Sequence, residues 1–195
     1  MPDTVRTFLA VEINETVRGR AAELIAALDA AGAPVKWVQR QNMHLTLKFL
    51  DEVPLRDIAR VSEAARRTAA AFEPFDLEIR GAGAFPNLRR PSTVWLGAGD
   101  GAERLSALAT RLDAALGKLG FRKESRRFEA HLTIGRLREG GLAAAELGRL
   151  LHGQAGFEAG RTRVAEVIVF SSQLTPKGPI YEALDRTPLG NAITP

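Results

Sequence analysis

A chain of 195 residues with 45% hydrophobic and 26% charged side chains has the length and composition of one sizeable domain or two closely packed lobes, which excludes a disordered polymer for its body. It contains no cysteine, so disulfides, thiolate zinc sites and cysteine nucleophiles are excluded together. Lysine and arginine outnumber aspartate and glutamate by 27 to 23, a net charge of +4 that suits a polyanionic partner without requiring one.

Taken in chain order, residues 4–13 predict a strand and residues 15–31 a helix, with Val17, Ala21, Leu24, Ile25 and Leu28 at helical spacing. Residues 35–38 and 43–50 predict two strands, followed by a helix over 54–72 that opens on a proline. Strands are expected over 75–80 and 93–96, a helix over 102–119, and Asp100 as its N-cap or in the turn before it. A strand over 128–137, a short helix over 142–151 and strands over 164–170 and 180–184 complete the pattern, and the tail from residue 186 reads as loose. The N-terminus lacks the layout of a secretion signal and no apolar run reaches the roughly 18 residues of a membrane span, so a cytoplasmic protein without membrane contact is expected.

His44 and His131 lie 87 positions apart, and sliding the chain by that offset lays strand on strand, helix on helix, and His44-Leu45-Thr46-Leu47 on His131-Leu132-Thr133-Ile134. The expected architecture is α+β. Two pseudo-two-fold-related lobes, each an antiparallel sheet with helices on the outside, form a central cleft within a single bilobal domain spanning 1–195. In a strand, residues i and i+2 share a face, so His44 projects with Thr46 and His131 with Thr133, while Leu45, Leu47, Leu132 and Ile134 turn inward.

Two of the chain's three histidines carry this pattern. An imidazole titrates near neutrality, so one ring can take a proton while the other gives one, on opposite sides of an in-line displacement at phosphorus. Threonine hydroxyls can donate hydrogen bonds to the non-bridging oxygens. Five residues beyond each histidine stand Phe49 and Arg136, which strict alternation turns away from the cleft and a bulge would turn toward it. Without a bulge they are core and surface residues respectively; with one, Phe49 could stack on a base, although core packing is the favoured reading for it. His152 reads as a helix-end residue, Gly97-Ala98-Gly99-Asp100-Gly101 as a plain turn, and Trp95 and Tyr181 as core or rim.

The segments HLTLKFL (residues 44–50) and FEAHLTIGR (residues 128–136) resemble the paired HxTx motifs of the 2H phosphoesterases, specifically the RNA 2′,3′-cyclic phosphodiesterase branch once described as tRNA-half ligases. Arg6 to Val11, the Gly83-Ala84-Phe85-Pro86 turn and Ser171 to Tyr181 extend the resemblance over nearly the full length. Ala130 stands where the family usually has proline, and removes no functional group. The resemblance implies hydrolysis of a terminal 2′,3′-cyclic phosphate to a 2′-phosphomonoester, with His44 as proton donor, His131 as proton acceptor and Arg136 on the phosphate. The substrate would be an RNA end or a cyclic nucleotide, with no cofactor and no metal, and the protein is expected to act as a monomer. Alternatives are a non-catalytic module that binds RNA termini, a 2′-5′ RNA ligase, or a metallohydrolase, although no HxH or HxxxH spacing supports the last.

Overall fold

The computed structural model of the protein describes residues 3–30, 32–137, 142–176 and 178–190. Nine strands and four helices alternate irregularly among them: β1 (Thr4–Glu12), α1 (Glu15–Asp29), β2 (Val35–Trp37), β3 (His44–Pro54), α2 (Ile58–Ala69), β4 (Phe75–Phe85), β5 (Thr93–Ala98), α3 (Ala102–Gly117), β6 (His131–Leu137), α4 (Leu142–Gly153), β7 (Glu158–Val164), β8 (Glu166–Thr175) and β9 (Gly178–Pro188). They build two antiparallel sheets, one in the order β3-β1-β8-β9 and the other β2-β6-β5-β4-β7. The α+β class and the paired antiparallel sheets agree with the expectation from sequence.

β1 shows why two layers form. Phe8, Leu9, Ala10 and Val11 are all buried, because Leu9 and Val11 enter the main core while Phe8 and Ala10 meet Ile168 and Phe170 in a smaller cluster on the other face. The helices supply the other side of the main core. α1 is capped by Asn14, whose side chain accepts from the Val17 N–H at 3.0 Å, and buries Val17, Ala21, Leu24 and Leu28. α3 buries Leu105, Ala109, Leu112 and Leu116, the same spacing one residue beyond the offset of 87.

The two sequence halves interlock. β1 and β3 share their sheet with the C-terminal β8 and β9, whereas β2 and β4 join β5, β6 and β7. The helices cross as well: α1, which follows a strand of the first sheet, packs on β7 of the second, and α3, which follows a strand of the second, packs on β3 of the first.

Local corrections follow from pairing that sequence patterning does not see. Residues 158–163, to which the sequence pattern assigns no element, form with Val164 the edge strand β7, whose Ala159, Thr162 and Val164 face inward while Arg161 and Arg163 reach Asp100 at 2.6 Å and Asp76 at 3.3 Å. Pro54 ends β3 and the second helix starts only at Ile58, after one 3-10 turn. Asp100 lies in the turn before α3, and Gly101, with φ 87°, takes the cap position where a Cβ would meet the Asp76 carbonyl oxygen at 2.3 Å. The tail is ordered further than expected: residues 186–188 belong to β9, and Thr187 and Leu189 are buried. Residues 191–195 lie outside the described residues.

Candidate active site

β3 and β6 each begin on a histidine of the repeated motif. In both, ring Nδ1 lies 2.8 Å from the carbonyl oxygen two residues earlier, Asn42 for His44 and Glu129 for His131. A carbonyl can only accept, so Nδ1 carries the hydrogen in both rings and Nε2 is left to gain or lose a proton. Nε2 of His44 also lies 3.1 Å from the Thr46 hydroxyl. The alternation placing each threonine beside its histidine is present in both strands, where Leu45, Leu47, Leu132 and Ile134 are buried behind them.

Each strand then bulges at the fourth residue of the motif. Against β1, Thr46 pairs with Ala10 and Lys48 with Leu9, leaving Leu47 unpaired. Against β5, Thr133 pairs with Trp95 and Gly135 with Val94, leaving Ile134 unpaired. Two successive residues thus face the core and the phase reverses, which swings Phe49 and Arg136 onto the cleft side. Phe49 is 50% exposed and its ring lies 5.9 Å from that of Phe8, so core packing does not describe it.

His44, Thr46, Phe49, His131, Thr133 and Arg136 all line one cavity of about 990 Å³ between the sheets. The two histidines have unlike surroundings. His44 stacks on Phe8 at 4.9 Å and meets Tyr181 edge-on at 5.2 Å, and burial pushes its pKa down from 6.5 to about 4, despite the bond to Asn42. Among the described aromatic rings, His131 meets Phe85, edge-on at 5.0 Å.

Sequence reasoning missed Arg6 and Lys36, which also line the cavity, and set aside Tyr181, which lines it too. Arg6 had a signal, since it shares a strand face with Phe8. Lys36 had none, because its place depends on β2 pairing with β6, about 100 residues away. His152 is exposed at the end of α4, as expected, whereas of the Gly97–Gly101 run only Gly99 to Gly101 form the turn, Gly97 and Ala98 being the last residues of β5. The basic clusters Arg89-Arg90 and Arg122 to Arg127 are exposed and away from the cavity lining. Among the described residues, no three acidic or histidine side chains gather into a metal-binding group, and no helix is long and apolar enough to cross a membrane.

Two antiparallel sheets delivering matched histidine strands to one cleft define a two-histidine phosphoesterase architecture. The chain belongs to the 2′-5′ RNA ligase superfamily, whose family model matches residues 8–175. It is 40% identical over 181 residues to a Methanothermobacter thermautotrophicus protein named RNA 2′,3′-cyclic phosphodiesterase, covering 93% of this chain and 97% of that one. A crystal structure from Thermus thermophilus superposes with a TM-score of 0.80 at 27% identity, covering 95% of this chain and 99% of that one. E. coli LigT complexed with phosphate gives 0.74 at 25% identity, covering 96% and 99%.

Proposed function

We infer that this protein is an RNA 2′,3′-cyclic phosphodiesterase that hydrolyses the terminal cyclic phosphate to a 2′-phosphomonoester by metal-independent acid–base catalysis between His44 and His131. The observation that carries the reading is the matched anchoring of the two rings in one cavity, each with Nδ1–H committed to a carbonyl, so that Nε2, beside the Thr46 hydroxyl in His44, is the nitrogen left for proton transfer. The activity named for the Methanothermobacter relative supports it, as does the phosphate complex of LigT.

His131 Nε2 takes a proton from water, the water oxygen attacks phosphorus, the bond from phosphorus to O3′ breaks, and His44 Nε2–H protonates the departing O3′. Thr46 and Thr133 hydroxyls donate to the non-bridging oxygens, where negative charge builds, and the Arg136 guanidinium forks onto the same phosphate. Phe49 stacks on the base of the terminal nucleotide. A ring with a pKa near 4 in the open cleft is a poor donor at neutral pH, and an anionic phosphate against Nε2 supplies the opposite charge that raises it. The enzyme acts as a monomer in the cytoplasm.

The test is turnover of a 2′,3′-cyclic nucleotide in excess chelator. His44→Ala and His131→Ala should each lower kcat by about 10²- to 10⁴-fold. Absence of wild-type turnover would leave only a module that binds RNA termini, and unchanged turnover in both variants would overturn the two-histidine mechanism; loss of activity in chelator would point to a metallohydrolase. A second reaction fits the same site and the family to which the chain belongs. With a 5′-hydroxyl RNA end in place of water, the same displacement of O3′ leaves a 2′–5′ phosphodiester, detectable as a longer product when such an oligonucleotide is added.

A further inference from the structure

β2 and β6 set Lys36 and Arg136 directly opposite each other across an antiparallel pair, and both line the cavity that contains the two histidines. Opposed side chains in a ladder lie about 5 Å apart at Cβ, and like charges there weaken the sheet. Neither cation has a carboxylate partner among the described residues; the Arg136 side chain makes one long contact, 3.5 Å to the Thr93 hydroxyl. The arrangement is fixed rather than adaptable. Val35 and Trp37, on either side of Lys36, press on Gly135, where a Cβ would come within 2.7 and 2.6 Å of them, and this pins the register of the edge strand.

The two cations are not equivalent. The charge of Arg136 is felt at His44 and at Tyr181, while Lys36 is not among the charges felt at either ring. Of the pair, Arg136 is the one whose charge reaches the His44 end of the cavity. Lys36 stands opposite the outer end of β6, five residues from His131, roughly 15 Å along the strand. Anionic charge beyond the reacting group would relieve the repulsion between them.

We propose that Lys36, beside Arg136, holds the phosphodiester on the 5′ side of the terminal nucleotide, so that the enzyme acts on the ends of RNA chains in preference to cyclic mononucleotides. The proposal rests on the cyclic phosphodiesterase reading above. Its test compares kcat/KM for a dinucleotide ending in a 2′,3′-cyclic phosphate with that for the cyclic mononucleotide of the same terminal base. The wild-type ratio should be roughly tenfold or more, as for a hydrogen bond to a charged group. Lys36→Gln should bring the ratio near one and Lys36→Arg should keep it. Lys36→Glu places a carboxylate opposite Arg136, so it should abolish the ratio while raising the unfolding temperature, a combination that a purely structural lysine would not give. A wild-type ratio of one, or a ratio preserved in Lys36→Gln, overturns the proposal. Failure of wild type to turn over either substrate overturns the reaction itself.

Discussion

At the scale of single residues, His44 carries the most distinctive chemistry. Burial holds its pKa near 4 in the fold against 6.5 for a free imidazole. Between those values the unfolded chain binds a proton that the folded chain refuses. Stability from this group is therefore complete above pH 6.5 and is lost as pH falls toward 4, by about 3 kcal/mol in all. Urea midpoints at pH 7 and pH 5 should show His44→Gln losing less than wild type over that interval; equal losses would contradict the buried neutral ring. The same shift predicts a difference between kinetic profiles. If His44 is the donor, its limb is a fall in rate with rising pH, and that fall should come at higher pH in kcat, measured on the bound complex, than in kcat/KM, measured on the free enzyme. NMR titration of the ring with and without inorganic phosphate checks the cause directly, an upward shift being the expected result.

Among elements, the two histidine-bearing strands carry equivalent bulges stabilised by different means. In β6 the residue after the bulge is Gly135, under the side chains of Val35 and Trp37. In β3 it is Lys48, whose buried ammonium lies 2.7 Å from Asp113 of α3, 3.3 Å from Glu124 and 2.6 Å from the Arg122 carbonyl oxygen. Burial alone would raise the Asp113 pKa, but hydrogen bonds from Lys48 and the Glu124 N–H hold its carboxyl below the usual range. Lys48 thus ties the bulge that exposes Phe49 to α3 and to the loop leading into β6. Asp113→Ala should cost about 3 kcal/mol, because it strips a buried charge of its nearest partner. The double variant Lys48→Met with Asp113→Leu, which removes both charges, should recover most of that loss in a urea titration. A single variant as stable as wild type would show that the network carries little.

For the whole molecule, the exchange of strands between halves predicts that neither half folds alone. A fragment ending at residue 100 retains β1 and β4 but lacks β8 and β7, the neighbours on their far sides. Its apolar faces would stay uncovered, and far-UV circular dichroism should find it largely unfolded. In the intact chain one main core runs through both sheets, so unfolding followed by fluorescence of Trp37 and Trp95 and by circular dichroism should give one coincident transition. Separate transitions would mean that the sheets unfold independently.

The sequence by itself determined the α+β class, most elements, the offset of 87 and the identities of His44, Thr46, His131 and Thr133, because alternation along a strand and periodicity along a helix are local properties written in neighbouring residues. It also raised the bulge that would turn Phe49 and Arg136 toward the cleft, without deciding for it, since a bulge is a mismatch with a partner strand and appears only once Leu47 and Ile134 are seen unpaired against β1 and β5. Edge strand β7 escaped notice because its inward residues are small and its outward ones are arginines whose carboxylate partners are distant in the chain. Tertiary structure alone decided that the halves exchange strands, that Lys36 stands opposite Arg136, and that burial lowers the pKa of His44. Each depends on which distant segments become neighbours, and pairing energy, desolvation and repulsion arise only when they do.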